Sequence, residues 1–206
     1  SQLIAAGSQS VMTLFNRTAM EIYEGQQYDV DFESRNDVAV EEYMEMIRLK
    51  TSVLLGCACA MGAMMAGASE HTTQSFYKYG EYLGLAFQLQ DDMLDVWGDP
   101  ATFGKEIGGD IMNNKKTFLL ISAQQQAIGE DQEELNRWLA AQNSDRDSKV
   151  NAVRGIYERL GLRQQAYAKI VEYTQKALSE LEKLNLPADA HEAFASFASK
   201  LVDRSV

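Results

Sequence analysis

Three aspartates carry the strongest chemical signal in this chain: Asp91, Asp92 and Asp95, within the run Phe87-Gln88-Leu89-Gln90-Asp91-Asp92-Met93-Leu94-Asp95. On a helix, at about 100° per residue, Gln88, Asp91, Asp92 and Asp95 fall on one face, with Gly84 and Tyr77 on the same side. Most of the remaining circumference is apolar, including Leu83, Leu85, Phe87, Leu89, Met93, Leu94 and Val96. A helix apolar nearly all round is a buried helix. Burying uncompensated carboxylates is very costly, so the stripe requires counter-charge. Carboxylates one helical turn apart can share one or two hard cations, and Mg²⁺ combines carboxylate and phosphate oxygens with retained water. Such a site clamps a diphosphate and stabilises it as a leaving group, with lysines adding point charges to the phosphate oxygens. Salt-bridged or surface carboxylates are the competing reading of the same three residues. Three features favour metal: the apolar setting of the stripe, a lysine (Lys50) on the apolar face of the preceding segment, and a glycine-punctuated loop with further lysines after it.

The elements that must position these residues are helical almost throughout. Residues 1 to about 25 have helical apolar spacing through Leu3, Val11, Leu14, Phe15 and Ile22, and Gly25 is the expected stop. Residues 27–37 then read as a polar loop whose acids, Asp29, Asp31, Glu33 and Asp37, are expected to be solvated. A second helix is expected over 38–68, with Tyr43, Met46, Ile47, Val53, Leu54 and Cys57 on the same face as Lys50. Lysine is rarely buried without a partner, so Lys50 either meets a counter-charge or snorkels to the rim. The carboxylate helix covers 70–97. Gly98-Asp99-Pro100 ends it, and a loop through Gly104, Lys105, Gly108, Gly109 and Asp110 leads to Lys115 and Lys116. Glycine there permits positive φ and close backbone approach to a ligand. The loop lacks P-loop spacing and follows a helix, which excludes a nucleotide site of that type. Helices are expected over 116–128, 131–141, 148–160, 163–184 and 188–204. The acids of Glu130-Asp131 and Glu133-Glu134 suit a helix start, where the dipole favours negative charge. No repeat or linker divides the chain, so residues 1–206 read as one all-α domain, part of a large antiparallel bundle.

A net charge of −11 argues against a nucleic-acid partner or an electrostatically held membrane surface. An anionic substrate would need bound metal and locally placed lysines. Cys57 and Cys59 point in different directions on a helix, and with only His71 and His191 they offer no zinc spacing. Residues 51–69 contain no charge and approach the length of a membrane span. Their richness in Gly, Ala, Ser and Cys, with Lys50 abutting, favours a tightly packed helix instead, with Gly56, Ala60, Ala63 and Gly67 as close-approach positions. No signal peptide is visible, and the expected compartment is cytoplasmic.

In order along the chain, Gly25-Gln26, Lys50-Thr51, Gly80-x-x-x-Gly84, Phe87-Gln88, Asp91-Asp92-x-x-Asp95, Gly104-Lys105, Asp110 and Lys115 resemble the trans-isoprenyl diphosphate synthases, the polyprenyl synthetases. The resemblance covers nearly the whole chain and matches the C-terminal two-thirds of the family. It implies a prenyltransferase that condenses isopentenyl diphosphate with an allylic diphosphate. Asp91, Asp92 and Asp95 resemble the second aspartate-rich motif, which holds Mg²⁺ against the allylic diphosphate. Lys50, Lys105 and Lys115 match lysines that contact that diphosphate. Thr51 and Gln88 match residues whose oxygens face the developing allylic cation, Gln26 matches a cavity-lining glutamine, and Asp110 orders the loop. A homodimer is implied in the same way.

The family's first aspartate-rich motif, its arginine pair and its isopentenyl diphosphate site lie upstream of the Gly-Gln pair, whereas the sequence contains one DDxxD only. The chain is therefore expected to be a piece of a synthase lacking its N-terminal helices, inactive alone and empty of metal without a diphosphate. A silent partner subunit and a terpene cyclase on the same architecture are the rival readings. The intact second motif and the Lys50-Thr51 and Gly104-Lys105 pairs favour the elongating synthase. Product length is not legible.

Overall fold

The computed structural model of the chain describes residues 9–99 and 107–202, and among these there are helices and no strands. In chain order they are α1 (Gln9–Glu33), α2 (Val40–Ile47), a π-helical turn (Arg48–Ser52), α3 (Val53–Met65), α4 (Glu70–Trp97), α5 (Gly109–Met112), α6 (Phe118–Gln126), α7 (Gly129–Ala140), α8 (Arg146–Arg159), α9 (Leu162–Glu182) and α10 (Ala188–Val202). The all-α bundle expected from the apolar periodicity is the fold observed.

The bundle is built around α4. Its start is local chemistry: the Ser69 hydroxyl accepts the Thr72 N–H at 3.1 Å, satisfying a first-turn amide that has no helical partner. Beyond that turn it is buried on most sides, packing on α3 along one flank and α9 along another. Leu85, Leu89, Met93 and Val96 join the larger core with Met46, Phe118, Ile121, Val153 and Ile170. Toward its N-terminal end, Phe76, Tyr79 and Leu83 form a second core with Ala177, Leu181 and Ala198. There the Phe76 and Phe194 rings lie 5.1 Å apart and the Tyr79 hydroxyl donates to the Phe194 carbonyl at 2.7 Å. At Gly84 a Cβ would sit 2.5 Å from the Ser52 Cα, so the glycine brings α4 and the π turn to backbone contact.

Three expectations about element boundaries are overturned. Gly25 does not end α1, which continues to Glu33 and carries Asp29, Asp31 and Glu33 on helix rather than loop. The reason is tertiary: a Cβ on Gly25 would lie 2.4 Å from the Lys50 amide nitrogen, so this residue is where α1 docks on the π turn. The long helix of 38–68 is interrupted, because the Val53 N–H reaches the Arg48 carbonyl across a five-residue step. A π turn of this kind adds a residue to the helical repeat and re-aims the side chains it carries, here Lys50 and Thr51. The third concerns Gly67, which is exposed with φ of 75°. It ends α3 as the left-handed cap residue, with the Ala68 N–H bonded to the Ala63 carbonyl at 3.0 Å. Gly56, Ala60 and Ala63 are buried as expected. Helix Val40–Met65 is long and apolar enough to cross a membrane, and half of its most apolar window is buried within the bundle.

Candidate diphosphate and metal site

Lys50 and Thr51 leave the π turn in different directions. Lys50 Nζ donates to Asp29 Oδ2 of α1 at 2.6 Å, with the two side chains 34% and 22% exposed. This settles the choice between burial with a partner and snorkelling: the ammonium is half-buried and paired. It also corrects the reading of Asp29 as a solvated loop acid. Thr51 Oγ1 donates to Gln88 Oε1 at 3.3 Å, and Gln88 Nε2 donates to Asp92 Oδ1 at 3.2 Å. The other Asp92 oxygen accepts the hydroxyl of Tyr43 from α2. A continuous polar line therefore runs Thr51–Gln88–Asp92–Tyr43, joining the π turn, α4 and α2.

The three carboxylates of the stripe sit in different environments. Asp92 is 3% exposed, and burial foremost raises its pKa to about 7, with Asp110 adding to the rise. Lys115 and the bonds from Tyr43 and Gln88 oppose that rise. Each of its oxygens accepts one hydrogen bond, so Asp92 ties α2 to α4 at the edge of the cavity it lines. Asp95, half-buried, accepts the Asp110 N–H on Oδ2 at 2.9 Å, and its backbone carbonyl accepts the Gly108 N–H at 2.6 Å. Burial, then Asp110, raises the Asp95 pKa. Asp91 is half-buried on the same stripe.

Lys115 completes the cluster. Its Nζ lies 3.3 Å from Asp110 Oδ2 and 3.2 Å from Asp110 Oδ1. Burial by itself would lower its pKa, but Asp92 and Asp110 outweigh that and hold it raised. Lys115 therefore stays cationic across the physiological range. Asp29, Tyr43, Lys50, Gln88, Asp92 and Lys115 together enclose a cavity of about 30 Å³. Beside it, Asp29, Phe32, Glu33, Asn36 and the segment 113–116 line a cleft of about 580 Å³.

Of the residues expected from sequence, Lys50, Gln88, Asp92 and Lys115 meet at one cavity, Thr51 joins through Gln88, and Asp110 orders the loop through Asp95. Gln26 is exposed on α1 and lines neither cavity. Lys105 and Gly104 lie outside the described residues. Tyr43 and Asp29 were missed as site residues. Tyr43 stood among the same-face neighbours of Lys50, but nothing local marks its hydroxyl for Asp92.

Among the described residues no group of three or more His, Cys, Asp or Glu side chains is gathered closely enough to hold a metal by itself. The possible ligand atoms near the cavity are oxygens, from the Asp29 and Asp92 carboxylates, Tyr43 and Gln88, which fits a hard cation that draws its remaining ligands from water and phosphate oxygen.

The buried Asp92 has a measurable consequence in metal-free protein. Its folded pKa, about 7, lies above its ordinary value of 3.8, so the folded state holds the proton more tightly. Its contribution to stability is then greatest below about pH 4, falls as pH rises toward 7, and remains a penalty above that. Asp92→Asn keeps the shape and, with the Gln88 amide turned over, the hydrogen bonds. In chelator at pH 8 it is expected to be more stable than the parent by on the order of 2–4 kcal/mol, the gain vanishing near pH 4. Denaturant midpoints measured from pH 4 to 8 check this, and parallel profiles for the two proteins would sink it.

The family model for polyprenyl synthetase matches residues 1–157. The chain belongs to the polyprenyl synthetase family. A short chain isoprenyl diphosphate synthase of Methanothermobacter thermautotrophicus is 37% identical over 187 residues, 91% of this chain and 56% of that protein. A crystal structure of a geranylgeranyl pyrophosphate synthase, 44% identical, matches with a TM-score of 0.88 over 96% of this chain and 61% of its own. The polyprenyl synthase of Caulobacter crescentus CB15, solved in complex with calcium and isoprenyl diphosphate, is 27% identical with a TM-score of 0.90, covering 99% and 62%. The chain thus spans about half the length of the curated relatives it matches.

Proposed function

We propose that the protein is a Mg²⁺-dependent prenyltransferase that condenses isopentenyl diphosphate with an allylic diphosphate to make a longer polyprenyl diphosphate. The observation that carries the reading is the meeting of Lys50, Lys115, Gln88 and Asp92 of the aspartate stripe at one cavity in a chain of this family. Two cations beside a carboxylate stripe are suited to a diphosphate head group and to the metal that would accompany it. In the reaction, the allylic C–O bond breaks and its electron pair leaves with the diphosphate. The alkene of isopentenyl diphosphate then attacks the allylic carbon, and a proton is lost from the product cation.

Lys50 and Lys115 hold diphosphate oxygens and stabilise the charge that develops on departure. Asp91, Asp92 and Asp95 would hold the metal, which when bound would supply Lewis-acid stabilisation of the leaving group. Thr51 Oγ1 and Gln88 Oε1 offer lone pairs to the allylic cation. Tyr43 and Gln88 orient Asp92, and the Asp110 amide orients Asp95 beside the loop that carries Lys115. Lys50 would exchange its bond to Asp29 for phosphate oxygen when substrate enters. A homodimer belongs to the same reading, and the exposed apolar side chains of α1, including Met20 at 60% and Tyr23 at 71%, are consistent with a covered face.

The test is turnover of the full-length protein with isopentenyl diphosphate, labelled allylic primers and Mg²⁺. A prenyl diphosphate product is expected. A hydrocarbon product would make the protein a cyclase, and turnover only with a second protein would make it an accessory subunit.

A further inference from the structure

The loop that carries Asp110 and Lys115 is held from behind by one face of α8, and the most unusual residue on that face is a lysine. Lys149 is 2% exposed. Its Nζ donates to Asn114 Oδ1 at 2.7 Å and to the Met112 carbonyl at 3.3 Å. Both are uncharged, whereas a buried ammonium is ordinarily paired with a carboxylate or avoided. An aliphatic residue would fill the same space more cheaply, so the charge must serve the groups it touches. Those groups end α5 and start the strained step after it. Asn114 has φ of 51°, a left-handed conformation that asparagine tolerates better than most side chains. Its amide Nδ2 donates onward to the Leu139 carbonyl at 3.0 Å.

The same face of α8 makes two further contacts to the loop. Arg146 Nη2 donates to the Ile107 carbonyl at 2.7 Å. Val150 packs so closely on Gly108 that a Cβ there would meet its methyl at 2.6 Å. What this clamp delivers is specific: the Asp110 N–H reaches Asp95, and Lys115, one residue beyond the Asn114 anchor, is aimed at Asp110 and Asp92.

We infer that Lys149 is a positioning residue for the diphosphate site, acting through Asn114 and Met112 to fix the 108–115 segment so that Lys115 and Asp95 hold their geometry. The inference rests on the functional reading above. Lys149 touches no substrate in it, and its ammonium sets the C-terminal end of α5 and the left-handed turn that launches Lys115.

The test uses Lys149→Met in the full-length protein, which keeps the length of the side chain and removes its donors. Val153→Ala, on the same helix and 1% exposed, is the control for lost packing alone. Two readouts are taken well below the unfolding temperature of each variant: affinity for inorganic diphosphate with Mg²⁺, and hydrogen exchange of the Asp110 amide. Lys149→Met is expected to weaken diphosphate binding about 10–100-fold and to deprotect the Asp110 amide, while Val153→Ala does neither. If Lys149→Met binds diphosphate and protects Asp110 like the parent, whatever its melting temperature, the lysine is structural only and the inference is overturned. If the parent itself fails to bind diphosphate, the site reading falls on its own. The exchange of Asp110 then decides the positioning role, protection retained in Lys149→Met overturning it and protection lost upholding it.

Discussion

Asp91→Asn in the full-length protein is expected to cut turnover by about 10²–10³-fold or more while leaving the fold intact. Asp91 opens the Asp91-Asp92-x-x-Asp95 motif on the polar face of α4. Asp92 gives its oxygens to Tyr43 and Gln88, and Asp95 gives one of its own to the Asp110 amide. Those bonds fix the orientation of both carboxylates on the stripe. In the proposed site Asp91, half-buried on the same stripe, supplies carboxylate charge to the metal together with Asp92 and Asp95. Asparagine is isosteric and keeps an oxygen, but it loses the negative charge that a hard cation requires. The loss should fall in the chemical step and in metal dependence, with the melting temperature little changed. Steady-state rates over a Mg²⁺ titration check this, and near-parental turnover would remove Asp91 from the metal site.

Gly25→Ala sets two physical effects against each other. Helix propensity alone predicts a gain of about 1 kcal/mol, because Gly25 lies inside α1 rather than at its end. Sterics predict the opposite, since the new Cβ would sit 2.4 Å from the Lys50 amide nitrogen and 2.8 Å from the Leu49 carbonyl carbon. These are backbone atoms of a buried turn, which cannot swing aside as the end of a flexible side chain can. Overpacking of this kind costs about 1–3 kcal/mol and sometimes more. The steric term wins, and a net loss of about 2 kcal/mol is expected, with Val at the same position worse. Because relief requires α1 and the π turn to separate, the Asp29–Lys50 contact at 2.6 Å should loosen with it. Lower turnover is therefore expected even in the fraction that stays folded. Urea midpoints and single-turnover rates measure the two consequences, and a Gly25→Ala variant as stable as the parent would refute the close approach.

Both cases rest on contacts between elements far apart in sequence, and this is where the sequence stops being informative. Local chemistry determined a good deal. The apolar circumference of 70–97 and its carboxylate stripe specify a buried helix with a one-sided polar face, and Ser69 caps it through a bond three residues long. Those signals depend on neighbours within a turn or two, which a linear reading contains. The ordered motif from Gly25-Gln26 to Lys115 was likewise enough to identify the family, because side-chain types at those spacings are tightly constrained by a shared site.

What only the tertiary structure decided are the pairings between segments. Lys50 meets Asp29 across 21 positions, Tyr43 meets Asp92 across 49, and Lys149 meets Asn114 across 35. Gly25 reads as a helix stop because glycine lacks a Cβ, and it is used mid-helix for that same property, since another backbone passes within contact distance. The π turn at Lys50-Thr51 has no local signature either, and its register is set by the packing of α1 and α4 against it. Periodicity shows which face of a helix is buried, but it does not contain the identity of what lies opposite, because that depends on how the helices cross. The three carboxylates were therefore legible as a one-sided stripe from the chain alone, while the partners of Asp92 and Asp95 became visible only once α2 and the 108–115 segment were packed around them.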